Sequence, residues 1–416
     1  LLLDTEIVQI ALQFTTYLPS ASPKTGAGTG HVSLEPALLM SLKIHEDTYL
    51  QTQIGEWIPL GGDPAVSGSL LNYRFALTHV IYRPWEESQF IGTLEFTGYA
   101  FQDGQYTDPL TGKQMVLPMN TGAEAVETAI KVARKWGYVT KGIPRHKAEI
   151  IVVAGNFQGR TISIISFSTE PLYRDDFGPF TPGFVVVPYG DASAIEAAIN
   201  PNTCAILLEP IQGEAGIIVP PHGYLKAVSA LARRHNVLFV ADEIQTGLGR
   251  TGRLLCCDHE DVRPDVVILG KALGGGVYPV SAVLADESVL GLLKPGEHGS
   301  TFGGNPLAAA VARAALKVIR DERLAEHAAE VGEYFQERLA EIPSRHIREV
   351  RGKGLLIGVE LHPEAGGARR FCEALLQHGI LCKETHQHVL RLAPPLIIDR
   401  DTIDAALPTL QAVLSD

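Results

Sequence analysis

The stretch VILGKALGGGVYPV, Val267 to Val280, decides how this chain is read. It closes an apolar, β-branched run on a single lysine, Lys271, and follows it with three consecutive glycines, Gly274 to Gly276. A lysine at the end of a buried strand must reach solvent or have a specific partner, because an unpaired ammonium is costly to bury.

Working outward, the chain from about residue 113 reads as alternating strand and helix. Short apolar runs recur in EIIVVAGNF, GFVVVPYG, CAILLEPIQG, NVLFVADEIQ and DVVILGK, with helical segments such as ASAIEAAI and YLKAVSALARRHN between several of them. TGAEAVETAIKVARKWG carries a helical stripe at Val126, Ala129, Ile130 and Ala133, and Thr121 with Glu124 forms a candidate capping box. Buried runs separated by helices predict an α/β fold, a mostly parallel central sheet flanked by helices. In such sheets the ligand sits at the carboxyl ends of the strands. Those ends read Asn156-Phe157, Glu209-Pro210, Asp242-Glu243 and Gly270-Lys271. From about 310 a long helical stretch leads into a smaller α+β unit, with RGKGLLIGVEL and HVLRLAPPLII as strands around the helix FCEALLQHGI. The expected organisation is an atypical segment over 1–112, a large α/β domain over 113–315 and a small α+β domain over 316–416.

Composition narrows the function classes. A formal charge of −12 over 416 residues argues against non-specific nucleic-acid or membrane binding, which needs a basic surface. No span of about 20 uncharged apolar residues predicts a membrane helix. Five cysteines without CxxC spacing, and no signal-peptide pattern in the first residues, fit a reducing cytoplasm. Residues 1–112 hold only four Lys/Arg against twelve Asp/Glu, with no persistent helical or alternating period. They are expected to be a strand-and-loop region or partly disordered.

Which chemistry uses Lys271? A phosphate-binding P-loop needs glycine where Asp265 stands and Ser or Thr where Ala272 stands, so that motif fails twice. A Schiff-base lysine, held among apolar neighbours, fits better. Pyridoxal phosphate would then require a carboxylate for its ring nitrogen, an aromatic face and an anion cradle. Asp242, Phe157 and the backbone amides of Thr121, Gly122 and Ala123 offer these three. Taken singly, each has a plainer reading: a solvated strand end, a turn or cap carboxylate, a core aromatic, a turn glycine. GLGRTG, Gly247 to Gly252, matches GxGxxG but leads into no evident helix. Cys256-Cys257-Asp258-His259-Glu260 and His386-Gln387-His388 lack zinc-site spacing, so no metal is expected.

Taken together, NTGAEAVETAIKVARKWGYVTKGI, NFQGRT, LLEPIQGEAGIIVPP, VADEIQTGLGRTG, ILGKALGGGVYPVSAVLAD, GSTFGGNP and CKETHQHVLRLAPPL resemble, in order, the class III, fold-type I aminotransferases. The resemblance runs from about Gly112 to the C-terminus. It implies pyridoxal phosphate on Lys271, Asp242 at the ring nitrogen, Gln245 near the ring hydroxyl and Phe157 stacked on the ring. It implies that Gly122 and Ala123 hold the phosphate, with Ser300 and Thr301 arriving from a second subunit of a homodimer or larger assembly. Arg160 would bind a substrate carboxylate, while Glu214 masks or frees Arg391. The implied activity is transfer of the δ-amino group of ornithine to 2-oxoglutarate. The alternatives are a sibling acting on acetylornithine, 4-aminobutyrate or lysine, or a non-catalytic cofactor-binding protein. Residues 1–112 lack the family's usual N-terminal motifs, so no substrate-binding tyrosine is assigned, and Gln158 departs from the aromatic or His often found beside the stacking Phe.

Overall fold

The computed structural model describes residues 1–17, 32–60, 70–85, 88–101, 115–294 and 296–415. The chain divides into two compact units, Leu1–Thr107 and Asp108–Asp416. Among the described residues no helix is long and apolar enough to cross a membrane.

The first unit is a six-stranded antiparallel meander of β1 (Leu3–Asp4), β2 (Val8–Tyr17), β3 (Val32–His45), β4 (Thr48–Leu60), β5 (Leu70–Trp85) and β6 (Ser88–Phe101), paired in chain order. The segment is thus sheet, although its sequence shows no clean alternation. Leu12, Phe14, Leu38, Ile54 and Leu94 are exposed, and Ala37 is the one apolar side chain buried among those described here. With no buried face among the described residues, selection for a period of two has nothing to act on there, which is why the pattern is absent.

In the second unit a seven-stranded sheet runs in the order β7-β13-β12-β11-β10-β8-β9. Its strands are β7 (Met115–Met119), β8 (Glu149–Val153), β9 (Phe184–Val187), β10 (Thr203–Leu208), β11 (Leu238–Asp242), β12 (Val266–Leu269) and β13 (Ser281–Ala285). Strands β8 to β12 pair parallel, while β13 is antiparallel to both β12 and β7. One face packs on α1 (Gly122–Val139) and the other on α4 (Ala192–Ala198) and α5 (Tyr224–Arg234), after the short α2 (Ile162–Ile165) and α3 (Pro171–Arg174).

Alternation along these strands decides what reaches the ligand end. On β10, Ala205 and Leu207 join the α1-side core while Ile206 and Leu208 join the opposite one. On β11, Leu238 and Val240 face α1 while Phe239 and Ala241 face away. Continuing each series by two puts Glu209 and Asp242 on the α1 side. Glu243 falls on the far side, where its carboxylate accepts the amide of Cys257 at 2.9 Å.

After α6 (Glu287–Leu290), the expected single long helix is two, α7 (Pro306–Asp321) and α8 (Leu324–Ala340). Arg323, with φ of 52°, turns the chain between them. RGKGLLIGVEL, expected as one strand, is a hairpin of β14 (Ile347–Lys353) and β15 (Leu356–Leu361), because Gly354 takes a left-handed φ of 54°. With α9 (Arg369–Gln377), β16 (Lys383–Thr385), β17 (Val389–Leu392) and α10 (Arg400–Ser415), they form a four-stranded antiparallel sheet packed on α8, α9 and α10. The second expected strand stops at Leu392, so the APPLII half of HVLRLAPPLII lies outside the sheet.

Candidate active site

A cavity of about 230 Å³ opens at the carboxyl ends of β10, β11 and β12, beside the start of α1. Lys271, Asp242, Phe157, Gln245, Gly122 and Ala123 all line it, together with Glu209, Ile244, Gln158 and Gly159. Six residues spread over 150 positions by sequence reading thus meet around one space.

Lys271 is not enclosed among apolar neighbours, as the sequence reading required; it is exposed. The strand ends at Leu269, and Lys271 takes a left-handed φ of 43°, a conformation that costs a side-chain-bearing residue energy and recurs at functional sites. Among the described residues its ammonium forms no ion pair. Its charge holds the carboxyls of Asp242 and Glu209 lower than burial alone would leave them.

Asp242 is 4% exposed. Burial pushes its carboxyl up to about 7, against the pull of the Ile244 amide and Lys271. The Ile244 amide donates to Oδ1 at 3.0 Å, and Oδ2 has no hydrogen bond among the described residues. Glu209, also 4% exposed, is pushed by burial and by the neighbouring Asp242 up to about 8. Its carboxylate accepts the Phe157 amide at 2.9 Å, tying the loop after β8 to the end of β10. The Phe157 ring then meets Tyr173 edge-on at 5.6 Å, and the Arg160 guanidinium lies 4.1 Å from the Tyr173 centroid and 5.5 Å from that of Phe157.

At the start of α1 the capping box forms as the sequence predicts. Thr121 accepts the Glu124 amide at 3.3 Å, and Glu124 accepts the amides of Thr121 at 3.0 Å and Asn120 at 2.8 Å. The two intervening amides, Gly122 and Ala123, donate to no acceptor among the described residues. An 18-residue helix therefore aims two free donors and its positive end at the cavity.

Glu214 joins the cavity through Gln245, whose Nε2 donates to Oε1 at 3.3 Å. The same Oε1 accepts Arg391 Nη1, and Oε2 accepts Lys383 Nζ at 3.1 Å. Burial would raise the Glu214 carboxyl, but Arg391 and then Lys383 bring it down to about 2. Ser300 and Thr301 do not line the cavity of Lys271. They border a second one of about 590 Å³, with Asn120, Thr121 and Ala123, where Asn120 donates to Ser300 at 2.9 Å.

Two residues of this constellation, Glu209 and Lys383, were not among the predicted site residues. The signal for Glu209 was present in its place at the end of the apolar run TCAILL; that for Lys383 was not, since it needs β16 set beside the distant loop that carries Glu214.

Residues 87–414 match the family described as aminotransferase class-III. The chain is a class-III aminotransferase. The match begins before the Gly112 boundary suggested by the motifs. This aminotransferase is 59% identical over 320 residues to an ornithine aminotransferase of Exiguobacterium sp., covering 76% of this chain and 79% of that one. It is 54% identical over 327 residues to one of Bacillus subtilis, covering 77% and 81%. Among solved structures, the ornithine aminotransferase of Toxoplasma gondii superposes with a TM-score of 0.72 at 47% identity, covering 73% of each chain. An acetylornithine aminotransferase from Elizabethkingia anophelis superposes with a TM-score of 0.67 at 51% identity, covering 73% of this chain and 76% of that one.

The aminotransferase uses pyridoxal phosphate, and the cavity suits that group. Besides the two free amides, the Gln245 Oε1 is buried without a donor, the kind of orphan a ring hydroxyl satisfies. Gly159 borders the space where an added Cβ would come within 2.8 Å of Ile164 and 3.1 Å of Ala123, so the backbone there is packed to its limit.

Proposed function

We propose that this aminotransferase moves the δ-amino group of ornithine to 2-oxoglutarate, giving glutamate 5-semialdehyde and glutamate in two alternating half-reactions. The observation that carries this reading is the Glu214–Arg391 pair beside Gln245, a carboxylate-masked arginine at the edge of the cavity. A diamino acid needs the arginine masked, and a dicarboxylate needs it free, so one site serves both in turn. The names of the relatives at 54% to 59% identity support the same donor.

Pyridoxal phosphate, when bound, acts as an electron sink that acidifies the carbon bearing the amino group. Lys271 would tether the cofactor aldehyde, yield to the substrate amine, and then take the proton from the substrate δ-carbon. Asp242 would hold the ring-nitrogen proton, Gln245 the ring hydroxyl, and the Gly122 and Ala123 amides the phosphate. Phe157 would lie against the ring, held in place through Glu209. Arg160 would take the carboxylate that ornithine and 2-oxoglutarate both hold away from the reacting carbon, and Arg391 the second carboxylate, which 2-oxoglutarate carries beside its keto group, in the bidentate geometry guanidinium favours. Ser300 and Thr301 would serve the phosphate of a second copy's site in a homodimer. The five free cysteines fit a cytoplasmic enzyme.

The test is spectroscopic. Protein loaded with pyridoxal phosphate should show a visible band that ornithine, without any keto acid, bleaches, and Lys271→Ala should form no such band. The acetylornithine aminotransferase at 51% identity is the reason for a second reading, an N-acetylated donor. Bleaching by acetylornithine and not by ornithine would move the assignment there.

A further inference from the structure

Glu214 holds two cations, not one. Arg391 Nη1 bonds its Oε1, and Lys383 Nζ bonds its Oε2 at 3.1 Å. Lys383 and Arg391 are direct cross-strand partners on β16 and β17, an arrangement of like charges that is unfavourable unless an anion sits between them. The two cations differ in setting. The Arg391 and Glu214 side chains are each 17% exposed, that of Lys383 58%. An ion pair so exposed adds little to fold stability, which leaves its position as the property to explain.

The Glu214 backbone is pinned. Thr385 Oγ1 donates to its carbonyl at 2.6 Å, and Arg351 holds the carbonyls of Gly216 and Ile217. Only the side chain is free to turn, and the cationic partners it bonds are Arg391 and Lys383. The resting cluster is two cations and one carboxylate. An incoming second carboxylate makes it two and two, provided Glu214 retains a cation when Arg391 is taken.

We infer that Lys383 is a specificity-determining residue: it receives Glu214 when a dicarboxylate claims Arg391, and so selects for 2-oxoglutarate in the second half-reaction. Without it, Glu214 and the substrate carboxylate compete for a single guanidinium. This rests on the ornithine and 2-oxoglutarate reading above, and on the role given there to Arg391.

The test uses the loaded enzyme and the variants Lys383→Gln and Lys383→Arg. In Lys383→Gln the KM for 2-oxoglutarate should rise about tenfold, and the Kd for glutarate, an unreactive dicarboxylate read by calorimetry, should rise alike. The ornithine half-reaction should stay within about twofold, and Lys383→Arg should recover both dicarboxylate values. Equal losses toward ornithine and 2-oxoglutarate would overturn the inference, as would unchanged glutarate binding. A wild-type enzyme that refuses ornithine but takes another amine, with the Lys383→Gln defect still confined to 2-oxoglutarate and glutarate, would overturn the donor and support the role of Lys383. Wild-type turnover of ornithine with a dicarboxylate response indifferent to Lys383 would overturn this inference alone.

Discussion

Glu209 and Asp242 extend the same face of two adjacent parallel strands, one residue beyond a register that pairs Leu208 with Ala241. Both are buried, and the presence of Asp242 raises the proton affinity of Glu209. Two buried carboxyls in one cleft cannot both ionise at low cost, so the protein favours a proton there over a second negative charge. Lys271 supplies positive charge that opposes this, and a protonated ring nitrogen would supply more.

The pair makes cofactor-free stability depend on pH in a stated direction. Each folded value lies above the ordinary one, about 8 against 4.5 for Glu209 and about 7 against 3.8 for Asp242. The folded state therefore binds more protons between those limits, and stability falls as pH rises. The contribution is complete below about pH 4 and lost above about pH 8. Thermal melts of cofactor-free protein should show Tm dropping across this window, and the drop should shrink in Asp242→Asn. A Tm that rises from pH 5 to pH 8 in the cofactor-free form would contradict the assignment.

Gly213→Ala separates function from folding. A Cβ there would stand 1.2 Å from Gln245 Oε1, so the Gln245 amide must leave and its bond to Glu214 must go with it. The displaced atom ends a flexible side chain, so Tm should change by less than about 2 °C. The loss should fall instead on kcat/KM for both substrates, on the order of tenfold, measured by steady-state kinetics.

The capping box on α1 predicts a stability effect that is not additive. Thr121→Ala should cost about 0.5–2 kcal/mol by denaturant unfolding. Glu124→Gln keeps one amide acceptor and should cost less. Because the two side chains form one reciprocal unit, the double variant should lose less than the sum of the singles.

Much of the site was legible because it lies on regular elements. Helical spacing and the Thr121–Glu124 interval placed the start of α1, and the apolar run LFVAD put Asp242 at a strand end. Glu209 obeyed the same rule but has the look of an ordinary strand terminus until Asp242 and Phe157 are set beside it. Strands β1 to β6 were illegible as sheet because, among the described residues, no buried face imposes alternation on them.

Periodicity and the order of apolar runs by themselves determined the α/β class and the strand ends at which the cavity opens, and the resemblance of the motifs pointed to the family. Tertiary structure alone decided three things. It turned Lys271 through a left-handed residue beyond the end of its strand, where alternation no longer predicts direction. It left the Gly122 and Ala123 amides without an acceptor among the described residues by spending those of Asn120 and Thr121 on Glu124. It brought Lys383 opposite Arg391 and laid Glu214 across both, joining residues from two distant parts of the chain. Local propensity acts over a few residues, whereas these contacts depend on how separate elements pack, and no spacing within the sequence encodes that distance.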